Sequence, residues 1–222
     1  MSGPAKLSGP MLPPKSGGAP KQLMVLLHGY GANGDDLIGL GWEWRELWPD
    51  MLFVSPNAPD VCAQNPGGFQ WFPLAVDRIA GRIEGAALAR PVLVNFLMDV
   101  WAQTGLGPAD TVLCGFSQGA MMALHVGTSL DRPLKAIVAF SGALIPPDGF
   151  GDDYFAKPPV ALIHGELDQV VDPNLSRESA QVLADAGFET RLHISPGVGH
   201  GIAPDGLAFA TQFLTGLMAA KA

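Results

Sequence analysis

Apolar residues fall along this chain in two rhythms. Short unbroken apolar runs end at Gly, Pro or a polar residue, and longer stretches repeat apolar positions every three to four residues. FETRLHIS (188–195) reads as a further, more polar strand, and the unbroken runs are QLMVLLHG (22–29), MLFVSPNAP (51–59), DTVLCGF (110–116), LKAIVAFSG (134–142) and PPVALIHG (158–165). Runs of that length and continuity predict strands buried on both faces. Between them, helical spacing is found in the Trp-rich stretch 30–50, in Ile83 to Gln103, in SQGAMMALHVGTSL (117–130), in PNLSRESAQVLADAG (173–187) and in APDGLAFATQFLTGLMAA (203–220). Pro91 predicts a kink or boundary in the second of these. Pro173 near the start and Gly187 just past the end frame the fourth. Residues 60–81 show neither rhythm and read as irregular and aromatic.

Strands that alternate with helices predict an α/β fold: a mostly parallel central sheet with helices on both faces. The first 20 residues, rich in Pro, Gly, Ser and Lys, read as an extended lead-in with a short edge strand near Lys6 to Leu12. Residues 21–222 read as one domain, with neither an internal repeat nor a dividing linker. No insertion between strand and helix is long enough for a large mobile lid.

A net charge of −8, with 13 Lys and Arg scattered along the chain, argues against nucleic acid and an anionic membrane surface as partners. The N-terminal stretch lacks the apolar segment of a signal peptide, and no apolar run reaches the roughly 18 residues of a membrane span. Two cysteines, Cys62 and Cys114, are too few for a disulfide scaffold and have no metal-ligand spacing. The expectation is a cytoplasmic protein, monomer or homodimer, with no stable membrane insertion and no metal or organic cofactor.

Nearly every residue with chemical potential falls just after a strand, where open α/β sheets carry their sites. Gly115-Phe116-Ser117-Gln118-Gly119 fits G-x-S-x-G between a strand and a helix. There a serine on a strained turn would expose its hydroxyl above the sheet, and the helix N-terminus would face a developing anion. A serine needs a base. His125 sits within a helix, His193 in mid-strand, and His164 and His28 end strands as residues suited to packing. His200, in the glycine-rich loop SPGVGHGIAPD, is the preferred base. Asp168, early in the loop after VALIHG, is the preferred acid. Asp172, just before Pro173, is the fallback and suits a helix cap, while Glu166 lies nearer the strand end. The order Ser117, acid, His200 is that of an α/β-hydrolase. Oxyanion donors are expected from the backbone N–H of Gln118 and of Tyr30, in HGYGAN.

In order, LLHGYGANGDDL, PNAP, GFSQGAMMAL, HGELDQVV and GHGI resemble the phospholipase/carboxylesterase family, which includes the acyl-protein thioesterases, over about residues 21–215. The resemblance implies an α/β-hydrolase fold and a serine hydrolase of carboxylic esters or thioesters. It also implies a triad of Ser117, Asp168 and His200, with oxyanion donors at Tyr30 and Gln118. The segment CAQNPGGFQWFPLAVD (62–77) departs from the groove-forming stretch of the eukaryotic thioesterases and is similar to the GGxQWF form of bacterial carboxylesterases. The expected activity is therefore hydrolysis of small to medium acyl esters. Acyl-protein thioesterase or lysophospholipase activity on long chains is the alternative, and a non-catalytic binding scaffold the outside reading. For the substrate wall, Phe69, Trp71 and Phe72 are the candidates, with Trp71 closest to substrate. Trp44 and Trp48, on a helix, suit the core.

Overall fold

Six of the seven strands in the main sheet run parallel, and one edge strand pairs antiparallel. The computed structural model describes residues 6–75 and 77–219. Residues 1–5 of the expected lead-in, Val76 and residues 220–222 lie outside that description.

The strands are β1 (Met11–Leu12), β2 (Gln22–Leu27), β3 (Met51–Val54), β6 (Thr111–Phe116), β7 (Ala136–Phe140), β8 (Val160–Gly165) and β9 (Thr190–Ser195). Two more, β4 (Asp60–Cys62) and β5 (Asn65–Gln70), pair as a separate hairpin. The helices are α1 (Gly34–Leu37), α2 (Gly39–Trp44), α3 (Arg78–Thr104), α4 (Gln118–Gly127), α5 (Pro173–Asp185) and α6 (Pro204–Ala219).

Strand alternation divides the core in two. Leu23, Val25 and Leu27 of β2, with Leu113, Ile137, Ala139 and Leu162, face α3, α4 and α5. Met24 and Leu26, with Val112, Cys114, Val138, Phe140 and Ile163, face α1, α2 and α6. Both faces of the central sheet are thus covered, which is why β2, β6, β7 and β8 are buried along nearly their whole length, while β9 at the edge is more polar and half-exposed. Trp44 and Trp48 lie in the second core, as their helical spacing predicts. Cys62 and Cys114 are free and buried, and burial pushes the Cys114 thiol's pKa well up.

Across the main sheet the order is β1-β3-β2-β6-β7-β8-β9, so chain order reverses between β2 and β6, which are neighbours in space. The loop after β2 and the turn after β6 therefore leave adjacent strand ends in opposite directions and open a crevice between them. The lead-in reaches the sheet edge: Met11–Leu12 pair antiparallel with β3, and Pro10 and Ser8 accept from the N–H of Ser55 and Asn57.

Two local expectations need correcting. The 60–81 region holds the β4–β5 hairpin, and α3 begins at Arg78 rather than near Ile83. Asp77 caps α3 by accepting from the N–H of Ile79 and Ala80. Pro91 lies inside the helix without ending it, and Gly105, at φ 73°, closes it.

Candidate active site

Ser117 stands at the end of β6 with φ 53° and ψ −116°. Side chains avoid that left-handed region, so the surroundings must impose it. They do so through close packing. A Cβ on Gly115 would lie 2.3 Å from the Gly119 carbonyl oxygen, and one on Gly119 only 2.0 Å from that of Leu27. The two glycines let strand, turn and helix approach to a distance no other residue permits. The Ser117 N–H donates to Phe140 O at 2.8 Å, which ties the turn to the neighbouring strand.

The hydroxyl of Ser117 lies 3.0 Å from His200 Nε2, and His200 Nδ1 lies 2.6 Å from Asp168 Oδ2. His200 hangs on the loop between β9 and α6. Leu167 N–H donates to Val198 O at 2.8 Å, and Gly197 N–H to the Glu166 carboxylate at 2.9 Å. The loop that carries His200 is thereby stitched to the loop that carries Asp168. The Phe116 ring packs 4.8 Å from the His200 ring, centroid to centroid.

Asp168 is buried, and its Oδ1 accepts from the N–H of Val170 (2.8 Å) and Val171 (2.9 Å). Burial by itself would raise this carboxyl's pKa. The hydrogen bond from His200, the two backbone donors and attraction to the imidazole together outweigh it and hold the group below its ordinary value. Asp168 thus stays anionic beside the imidazole.

The other candidates fall elsewhere. Asp172 caps α5, accepting from Asn174 N–H at 2.9 Å. His193 pairs with Asp205 at 2.7 Å on the surface. His125 is buried, with Nδ1 donating to Ile145 O at 2.8 Å. His28 is buried beneath the loop after β2, where Nδ1 donates to Gly29 O (2.7 Å) and Nε2 accepts from Ala58 N–H (2.9 Å). Burial lowers the pKa of both His28 and His125, against smaller raising effects from their carbonyl partners.

The loop Gly29–Ala32 lies against Ser117: a Cβ on Gly29 would be 3.3 Å from that of Ser117. Gly31 N–H donates to Phe69 O (2.9 Å), Phe69 N–H to Ala32 O (2.7 Å) and Asn65 Nδ2 to Gly31 O (2.7 Å). The β4–β5 hairpin thus braces the segment that carries Tyr30. The Tyr30 hydroxyl meets the Cys62 thiol, a hydrogen bond that raises the phenol's pKa. Gln118 opens α4, so its N–H has no acceptor one turn back in the helix.

A cleft of about 310 Å³ opens over Ser117, lined on the apolar side by Phe72, Leu74, Phe116, Met121, Val170 and Val171. Gly29, Tyr30, Gln118 and His200 complete its floor, and Arg82 stands on its rim. Phe72 lies on this wall, whereas Phe69 and Trp71 are not among its lining residues. Trp71 is 1% exposed, and its indole N–H donates inward to His28 O at 3.0 Å. An aromatic in an irregular segment can face either way, and here hydrogen bonds pull Trp71 into the core. The Gln118 side chain clamps the same stretch, accepting from Trp71 N–H (2.9 Å) and donating to Phe72 O (2.7 Å).

Sequence reading missed that clamp and the wall contributed by Met121, Val170 and Val171. Met121 could have been found, since it lies one helical turn beyond Ser117. It also missed a second imidazole on Asp168. His164 Nε2 lies 3.0 Å from Asp168 Oδ2.

A family model described as phospholipase/carboxylesterase matches residues 15–218. Esterase YpfH of Escherichia coli (strain K12) is 30% identical over 199 residues, covering 87% of this chain and 82% of that protein. Acyl-protein thioesterase 1 of Gibberella zeae is 27% identical, covering 86% and 88% respectively. Among solved structures, esterase PE8 superposes with a TM-score of 0.92 at 58% identity, covering 96% of this chain and all of that one. A Bacillus cereus carboxylesterase, 20% identical, shares the fold with a TM-score of 0.78 over 95% of this chain and 94% of its own.

Proposed function

The chain belongs to the phospholipase/carboxylesterase family, and from that premise we propose that it is a serine carboxylesterase using Ser117, His200 and Asp168 on small to medium acyl esters. The observation that carries this reading is the unbroken chain of contacts from Ser117 Oγ through His200 to Asp168, at 3.0 and 2.6 Å. His200 Nε2 takes the hydroxyl proton as Ser117 Oγ attacks the ester carbonyl carbon. The carbonyl oxygen becomes an oxyanion and is met by the N–H groups of Gln118 and Tyr30. Collapse of this intermediate expels the alcohol, which takes its proton from His200 and leaves an acyl group on Ser117. Water, deprotonated by the same imidazole, then releases the carboxylic acid. Asp168 remains an anion throughout, keeping the proton on Nδ1 and stabilising the imidazolium.

The cleft's apolar lining suits an acyl chain, and its volume, at the lower end of small-molecule sites, favours short and medium ones. Two buried free thiols fit a reducing, cytoplasmic setting. Among the described residues no helix is long and apolar enough to cross a membrane. Relatives named acyl-protein thioesterase support a second reading, in which the leaving group is a thiol and the acyl chain is long.

Treatment with a fluorophosphonate probe tests the reading. One adduct should map to Ser117, and Ser117→Ala should abolish both the adduct and ester hydrolysis. An adduct on another residue with Ser117 unmodified would falsify it. Esters and thioesters from acetyl to palmitoyl, compared at matched concentrations, decide between the two substrate classes.

A further inference from the structure

The acid of the triad is held by a second histidine that never touches the nucleophile. The side chains of His164 and Asp168 are both fully buried. His164 Nε2 faces two oxygens, Asp168 Oδ2 at 3.0 Å and Val171 O at 2.9 Å. Each can only accept, so this nitrogen carries a proton and donates to both. On the other side of the ring, Nδ1 lies 2.7 Å from Ser176 Oγ, which itself lies 2.8 Å from Gly142 O. The imidazole is therefore fixed at both nitrogens, by a strand-end carbonyl through α5 and by the acid loop.

We propose that His164 is a positioning residue for the reaction, acting through Asp168; this rests on the triad reading above. Asp168 Oδ1 is fixed by two backbone N–H groups, but two bonds to one oxygen leave the carboxylate free to tilt about it. The His164 donor on Oδ2 removes that freedom. Oδ2 is also the oxygen that meets His200 Nδ1, so its direction sets the orientation of the base. A carboxylate that tilts away loses hold of the tautomer and of the imidazolium formed in the transition state. His164 projects from the end of β8, so the reference point for this alignment is the sheet itself and not a loop. Its bond to Val171 O holds one turn of the acid loop in the same stroke.

The role predicts a particular split between two substitutions. His164→Asn keeps an amide near Nδ1, and so the Ser176 contact, but has nothing to offer Asp168. His164→Gln places an amide N–H near the Nε2 position and keeps the donor on Oδ2. His164→Asn should lower kcat by roughly ten- to hundredfold, the usual loss when the group orienting a reacting side chain is removed, with KM within about threefold. His164→Gln should recover most of that loss. In an Asp168→Asn background, His164→Asn should cost almost nothing further, because the residue through which it acts is already disabled.

A His164→Asn enzyme with near-wild-type kcat overturns the inference. So do equal losses in both variants that follow their melting temperatures, and additivity with Asp168→Asn. Should neither variant fold, nitrogen NMR of the wild-type imidazoles decides: a proton on Nε2 of His164 supports the role, and a bare Nε2 excludes it. Retained activity in Asp168→Asn alone is a different result. It brings down the triad assignment and this inference with it, whereas an inactive Asp168→Asn beside an active His164→Asn brings down only the inference.

Discussion

Replacing Trp71 by alanine should damage the fold far more than it changes substrate choice. The indole is 1% exposed and packs 5.8 Å from the His28 ring, centroid to centroid. Truncating a buried Trp costs about 3–5 kcal/mol. Loss of the N–H that serves His28 O, itself buried, adds about 1–3 kcal/mol. For a domain of this size each kcal/mol shifts Tm by about 2–4 °C, so the whole change of about 4–8 kcal/mol should lower Tm by roughly 8–32 °C. Trp71→Phe keeps most of the ring and forfeits only the hydrogen bond, so it should lose only a few degrees. Catalysis should suffer evenly across substrates. His28 adjoins the loop that carries Tyr30, and a loosened loop costs every ester alike, whatever its acyl length. The assay is a pair of measurements on each variant: thermal melting by circular dichroism, and kcat/KM over butyrate to decanoate esters. If Trp71→Ala melts within about 3 °C of wild type and loses activity selectively on longer esters, the indole is a wall of the acyl site and the buried-brace argument is wrong.

Asp168→Asn should lower kcat by about 10⁴-fold through the wrong imidazole tautomer, whereas Asp172→Asn should keep activity and cost only a fraction of the ~1 kcal/mol worth of a helix cap; comparable kcat in the two would reassign the acid. Val170, exposed on the cleft wall, offers its side chain to substrate and its N–H to Asp168. Val170→Ser should therefore raise KM for medium-chain esters by about tenfold, with Tm almost unchanged, and a kcat effect at constant KM would count against the wall. Burial lowers the folded-state pKa of His28 and His125 below 6.5, so the stability they confer as neutral rings is complete above about pH 6.5 and is lost as pH falls below it. Tm should be level from pH 7 to 8 and decline below 6.5, less steeply in His125→Gln; a steeper decline in that variant would contradict the sign. Asp168, with its pKa depressed, acts lower on the scale, its contribution vanishing only as pH drops through and below the ordinary 3.8.

What the sequence shows and what it hides follow from how far each feature depends on distant residues. The strands could be read because a sheet covered on both faces demands continuous apolar runs, a local property. That Ser117, Asp168 and His200 meet could be read because each stands beyond a strand, and strand ends in a parallel sheet share one edge. The hairpin could not be read, since NPGGFQ neither alternates nor runs apolar; it is a strand pair whose Phe69 also exchanges hydrogen bonds with Gly31 and Ala32 far away. The start of α3 was hidden for a similar reason. Gly81 and Gly85 weaken the local helical signal, yet a Cβ on Gly85 would lie 2.5 Å from Phe72, so that glycine is there to admit the cleft wall. His164 looks like a strand-end packing residue until the acid loop folds back over it. Most hidden features shape or steady the cleft, although Phe72 on its wall was legible, and most legible ones belong to the sheet, its covering helices or the proposed reacting groups. The proposed bond-breaking groups stand at strand ends, which the parallel sheet brings to one edge. The wall is written in side chains carried by the hairpin segment, α3, α4 and the acid loop, and those side chains can change while the backbone hydrogen bonds that hold Asp168 are kept. Substrate choice is therefore free to diverge among chains that keep the same Ser, His and Asp, and residues such as Phe72, Met121 and Val170 are where that divergence should be sought.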